Sequence, residues 1–211
     1  MEEAPKNLRM RRVNMTPLHV AETLEEVEEL LQQRHDPNSR NAVGMTPLFY
    51  AETKEIIDIL LTYGADIHAR DEAERTALFS SRPEVTEHLV KCGADPNAVD
   101  FAGQTALFWA DTVEKTRTRL AAGCHPNLAD KKGMLPFYYV DDEKILSLYH
   151  EAGADFSHKN GNGETAFEYM KRCGVKGKGV AFLKTMEEKA HLEKELCYNG
   201  CNNDEKTLRK I

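Results

Sequence analysis

Thr46-Pro47-Leu48-Phe49-Tyr50-Ala51-Glu52, followed by Glu55-Ile56-Ile57-Asp58-Ile59-Leu60-Leu61 and then by Gly64-Ala65-Asp66, decides how the chain folds. Threonine can cap a helix through its hydroxyl, and proline fits the first helical position, where its missing N–H costs nothing. The apolar residues of 55–61 have helical spacing, and a glycine such as Gly64 suits the left-handed residue that stops a helix. The stretch reads as helix, short turn, helix and then an extended turn. It recurs along the chain: segments starting at Thr16, Thr46, Thr76, Thr105, Leu135 and Thr165 begin TPLHVAE, TPLFYAE, TALFSSR, TALFWAD, LPFYYVD and TAFEYMK, spaced 30, 30, 29, 30 and 30 residues apart. Gly-Ala-Asp returns at 64–66, 93–95 and 153–155, with degenerate copies at 34–36 and 123–125. A turn of the form Asp/Asn-x-x-Gly precedes most starts, at 41–44, 100–103, 130–133 and 160–163. A fixed period of this length means stacked repeats, each burying its neighbour.

The unit resembles the ankyrin repeat over roughly residues 14–170. The family's opening of Thr-Pro-Leu-His stands unaltered at Thr16-Pro17-Leu18-His19, while Phe49, Phe79, Phe108 and Tyr138 take the histidine position. The resemblance implies an all-α, helix-turn-helix solenoid of five to six repeats: 16–45, 46–75, 76–104, 105–134, 135–164 and the start of a sixth at 165–170. The family's usual unit is 33 residues, so each unit here is about three shorter, which predicts a clipped first helix or inter-helix turn. Repeat four departs most, because Lys115-Thr116 and Thr118-Arg119 replace residues that are apolar in repeat two, and its second helix is expected to pack weakly. Residues 1–15 form a flank. In 171–196, a Gly-Lys stretch at 174–179 leads to a capping helix over 180–196, with Val180, Leu183, Met186, Ala190 and Leu196 inward. Residues 197–211 read as a frayed tail.

The composition sets limits on function. The chain has 211 residues, 41% apolar and 30% charged, which suits a folded protein of one domain or two small ones. The net charge of −7 is uneven: residues 1–15 carry four bases and two acids, 165–211 ten bases and seven acids, and the stretch between fourteen bases and twenty-six acids. An acidic middle opposes a nucleic-acid footprint and favours a basic partner. No apolar run approaches the roughly 20 residues of a membrane span, and no secretory signal is visible at the start. Five scattered cysteines form no disulfide framework, so reduced thiols and a cytoplasmic setting are expected.

No catalytic constellation emerges, so no enzyme is expected, and neither a cofactor nor a metal. Cys197-x-x-x-Cys201 with His191 upstream offers one loose pair where a structural zinc site needs four ligands. The Gly-Lys stretch lacks the phosphate-loop pattern and reads as a turn.

In ankyrin-type solenoids the hairpin tips and the end of the first helix line a concave face that binds protein partners. Carried over by register, this implies tip positions that include Glu72, Arg75, Phe101, Gln104 and Met134. It implies an acidic row at the helix end, Glu22, Glu52, Asp111, Asp141 and Asp142, interrupted by Arg82. Tyr50, Trp109 and Tyr139 run beside that row. Aromatic anchors in a charged surround are what an interface centre requires. Phe101 is the sharpest choice, having little in its own repeat to pack on. Phe49, Phe79, Phe108 and Tyr138 are expected in the core.

The functional expectation is a non-enzymatic module, monomeric alone, whose acidic and aromatic face binds a basic protein. Small acidic ankyrin-like proteins resemble inhibitors and immunity proteins that block a toxin, effector or nucleic-acid-binding enzyme. The alternatives are a cytoplasmic scaffold or adaptor, and nucleic-acid binding through the basic termini, Arg9, Arg11 and Arg12 with Lys171, Arg172, Lys176 and Lys178.

Overall fold

A computed structural model describes residues 14–192. The chain divides into two compact units, Met1–His125 and Pro126–Ile211. The first unit holds repeats one to three and the helices of repeat four. Its long helices are α1 (Leu24–Gln32), α2 (Lys54–Thr62), α3 (Pro83–Lys91) and α4 (Val113–Ala121). The expected shortening falls on the first helix of each repeat. Only Pro17–Val20 makes a single α-turn, whereas Pro47–Tyr50, Ala77–Phe79 and Ala106–Trp109 are single 3-10 turns. Leu18, Leu48, Leu78 and Leu107 from these turns are buried with Val27, Ile57, Leu60, Val85 and Leu89 from the long helices. The second unit repeats the plan with the 3-10 turn Pro136–Tyr139, α5 (Glu143–Glu151), α6 (Ala166–Arg172) and α7, which runs over 178–192 to the limit of the described residues.

The capping device differs from the one expected. Thr16 and Thr165 do close their turns with side-chain partners. Thr16 Oγ1 lies 2.8 Å from His19 Nδ1, and the Glu168 backbone N–H donates to Thr165 Oγ1 at 3.3 Å. The hydroxyls of Thr46, Thr76 and Thr105 are buried and have no hydrogen-bond partner. The residue three positions on explains the split: it is His19 or Glu168 where the threonine is engaged, and Phe49, Phe79 or Phe108 where it is not. A 3-10 turn also carries few free N–H groups for a cap to meet. Of the long helices, α1, α2, α4 and α5 are capped in the expected way, by Thr23, Thr53, Thr112 and Asp142, whereas α3 starts on Pro83 without a side-chain cap.

The predicted weak packing of α4 is corrected. Thr116 and Arg119 are buried. Arg119 stands in the register of Leu60, Leu89 and Tyr149, and its guanidinium donates to the carbonyls of Ala106 (2.7 Å), Phe79 (3.2 Å) and Leu78 (3.4 Å). A polar residue is held inside because its donors are matched.

Hairpin tips join the repeats. The Oδ1 of Asn41, Asp71, Asp100, Asp130 or Asn160 accepts backbone N–H groups two and four residues on, as in Val43 and Met45 for Asn41. Neighbouring tips are tied by Glu72 N–H to Val43 O, Phe101 N–H to Ala73 O, and Gly161 N–H to Lys132 O. Two positions per repeat need a left-handed backbone. Glycine holds most of them, but Asn14 (φ 51°), Arg34 (φ 65°) and Glu74 (φ 63°) hold the other three among the described residues.

At the C-terminal end, Leu183 and Met186 are buried while Val180 and Ala190 are half-buried; Leu196 lies outside the described residues. Phe182 meets Phe156 with ring centroids 6.0 Å apart. Gly177 and Gly179 serve close packing. A Cβ on Gly179 would stand 2.5 Å from the Asp141 carbonyl group, and one on Gly177 would stand 2.5 Å from its carboxylate. Cys92, Cys124 and Cys173 are free thiols, and Cys197 and Cys201 lie outside the described residues, as do Arg9, Arg11 and Arg12. None of the described helices is long and apolar enough to cross a membrane.

Candidate functional site

Burial separates the register-derived surface into support and exposed residues. In the first unit, Phe101 is 65% exposed and Trp109 48%. The Phe101 backbone is fixed by its N–H to Ala73 O, so the ring projects from a tethered tip. Beside it, Asp71 is buried under its own tip and binds Arg75: Nε donates to Oδ2 at 2.9 Å, and Nη2 lies 2.7 Å from the same oxygen. The same guanidinium carbon stands 5.9 Å from the centroid of the Trp109 ring. The turn Ala106–Trp109 thus presents Trp109 against an anchored cation, and the tip 100–104 that carries Phe101 is tied to the tip that holds that cation. Gln104 belongs to the same tip through backbone pairing with Asp100.

Other members of the set are engaged within the fold. Tyr50 is half-buried; its hydroxyl accepts from Asn41 Nδ2 at 2.9 Å and lies 3.4 Å from Met45 Sδ, and burial pushes its pKa up. Glu52 pairs with Arg82 at 2.5 Å, so the arginine that interrupts the acidic row neutralises its neighbour. Asp111 pairs with Lys115 at 2.7 Å, which lowers its pKa. Glu72 and Glu22 are exposed.

In the second unit Tyr139 is 47% exposed and meets Tyr169 edge-on at 6.2 Å. Both line a cleft of about 520 Å³ with Lys131, Lys132 and Asn162. Met134 is buried beneath Asn160, whose Nδ2 lies 3.4 Å from its sulfur; it supports the tip and offers no surface. Asp142 caps α5, accepting from Lys144 N and Ile145 N. Asp141 is exposed but lies against Gly177 and Gly179 at the start of α7. Two lysines of the tip therefore border this cleft.

Several structural roles escaped the reading of the sequence. Asn38, Asn97 and Asn127 each bridge to the next repeat, the amide donating to Gly64, Gly123 or Gly153 O while its oxygen accepts from Asp66, His125 or Asp155 N. Asparagine two residues after the Gly-Ala-Asp register or its degenerate copies, at three of the five places, is the signal that marks them.

The sequence model of the family described as ankyrin repeats (3 copies) matches residues 2–71. No curated protein sequence matches the chain. Among solved structures, a chain from the complex of a predatory endopeptidase of Bdellovibrio bacteriovorus with an immunity protein is similar at a TM-score of 0.67 and 23% identity, covering 81% of this chain and 98% of that one. An ankyrin repeat domain from Acinetobacter baumannii AYE is similar at 0.66 and 22% identity, covering 83% of this chain and 97% of that one. Residues 2–71 thus match ankyrin repeats, which are protein-interaction modules, and the two structures show the same fold over 81–83% of the chain.

Proposed function

We propose that the chain is an inhibitor of the immunity type, which captures a basic protein through the surface of its first unit. Phe101 and Trp109 are the anchors, Arg75 holds Trp109, and Glu72, Gln104, Glu52 and Asp111 form the rim. Tyr139, with Asp141, supplies a contact in the second unit. The observation that carries this reading is the exposure of Phe101 and Trp109 on neighbouring positions of one side. Large aromatic side chains left in water on a rigid tip are costly unless a partner covers them. The similar structure that contains an immunity protein favours inhibition over scaffolding.

Charge contributes through the whole unit more than through the acidic row. Residues 1–125 contain fourteen bases and twenty-one acids, while 126–211 contain fourteen of each. With Glu52 and Asp111 already paired, the excess acts at long range and speeds encounter with a basic partner.

The test is co-purification from the source cells with the full chain as bait, repeated with Phe101→Ala and Trp109→Ala baits of unchanged helical signal. A basic protein retained by the first and lost from the other two supports the reading. Equal retention by all three baits, or an acidic partner, overturns it.

A further inference from the structure

We propose that Asp58, His88 and Cys92 form a site for one divalent transition-metal ion of the zinc class, held between repeats two and three. His88 lies in α3 and Cys92 is the residue that ends it, four positions on, so both side chains share one face. Asp58, in α2, faces them. His88 Nε2 stands 2.7 Å from Asp58 Oδ1, Cys92 Sγ is 3.7 Å from His88 Nε2 and 3.9 Å from Asp58 Oδ1, and the three donor atoms all lie within 4.8 Å of one another. A tetrahedral ion with bonds of about 2.0–2.3 Å sets its donors about 3.3–3.8 Å apart. The 3.7 Å from Cys92 to His88 already matches, the 3.9 Å from Cys92 to Asp58 has to close slightly, and the His88–Asp58 pair has to open by about half an ångström.

The donor set selects the ion. One sulfur, one imidazole nitrogen and one carboxylate oxygen suit zinc or cobalt(II), whereas magnesium and calcium take oxygen donors. Three protein ligands leave a fourth position for water. The site is reachable, since the Asp58 side chain is 59% exposed and that of His88 21%. On binding, the thiol proton goes to solvent, and His88 turns its Nε2 lone pair to the ion instead of sharing Nε2 with Asp58.

Placement gives the ion a structural task. Asn38 bridges repeats one and two, and Asn97 bridges three and four. Between repeats two and three the same register holds His68, which has no amide to make both bonds. The metal would tie α2 to α3 at that junction.

Cobalt(II) titrated into the chelator-treated full chain is the test. The expected result is one ion per chain with a sulfur-to-cobalt charge-transfer band and tetrahedral visible bands, all abolished by one equivalent of zinc. Cys92→Ser and Asp58→Ala should each weaken binding about tenfold or more, while a Cys173→Ser variant and a Cys197→Ser, Cys201→Ser variant bind as the parent does. Asp58 is exposed, so its variant tests the site even if Cys92→Ser fails to fold. Zinc should also raise the melting temperature of the parent and leave that of Asp58→Ala unchanged. Binding that survives Asp58→Ala undiminished, that disappears with the tail cysteines, or that is absent from the parent overturns the proposal.

Discussion

The guanidinium carbon of Arg75 stands 5.9 Å from the ring centroid of Trp109 while its nitrogens hold the buried carboxylate of Asp71. One side chain thus connects a tip that must be rigid to an aromatic that is left in water. Removing the two ends has different results. Trp109→Ala should change stability by no more than about 1 kcal/mol, because the ring is half in solvent and loses chiefly the cation–π contact. Arg75→Gln strands Asp71 and should cost about 2 kcal/mol. Urea denaturation followed by circular dichroism distinguishes them. A large loss for Trp109→Ala would place that ring in the core.

Trp109 is the single tryptophan of the chain. Its emission should shift to shorter wavelength when a protein covers the first unit's surface, and the shift should vanish in a complex that uses only the second unit. A fluorescence titration with the captured partner reads this directly.

Arg119→Ala should destabilise the first unit by about 3 kcal/mol, since it takes the side-chain donor from the carbonyls of Ala106 and Phe79 and leaves that of Leu78 to Ser81 Oγ alone. Arg119→Lys should recover only part of that loss, because an ammonium cannot span the carbonyls that the planar fork reaches. Equilibrium unfolding in urea provides the comparison.

Acidification should weaken repeat one through His19. Burial lowers its pKa, partly offset by the hydrogen bond to Met45 O, and its Nδ1 accepts from the Thr16 N–H. The unfolded chain takes up a proton below about pH 6.5 that the folded chain resists. The stability owed to neutral His19 is complete above that pH. It declines as the pH falls below it and stops declining beneath the folded-state pKa. Thermal melts at pH 7 and about pH 5.5 should differ more for the parent than for His19→Phe, which places at residue 19 what stands at Phe49.

Arg34→Gly should stabilise the chain by about 1 kcal/mol, because an L-residue in the left-handed region is replaced by the residue that occupies it freely. Thermal melting measures this, and an unchanged midpoint would mean that the strain is relieved elsewhere.

Much of the fold was legible because the repeat fixes it six times over. The clipped first helix followed from a unit three residues short, and the glycines at 64, 93, 123 and 153 took the left-handed positions their register demanded. Polar residues inside the stack were harder to place. Arg119 in a leucine register looks like a packing defect until three carbonyls are seen to surround its guanidinium, and carbonyl direction is not written in side-chain type. The candidate surface divided for the same reason. Register found the exposed Phe101, Trp109 and Tyr139, but Met134 sits in the same class of position and is buried. Two members of the acidic row are paired, and Arg82 and Lys115 had to be placed in space before their pairing with Glu52 and Asp111 appeared.

Arg119 also bears on how such an array can change by recombination. Its donors reach the carbonyls of Leu78 and Phe79 in the preceding repeat as well as Ala106 in its own. Duplicating repeat four, deleting it, or inserting a foreign unit ahead of it would present that guanidinium to a neighbour that did not evolve to receive it. Repeats three and four are matched to each other through this one side chain, so a unit exchanged at that boundary has to offer its carbonyls in the same places.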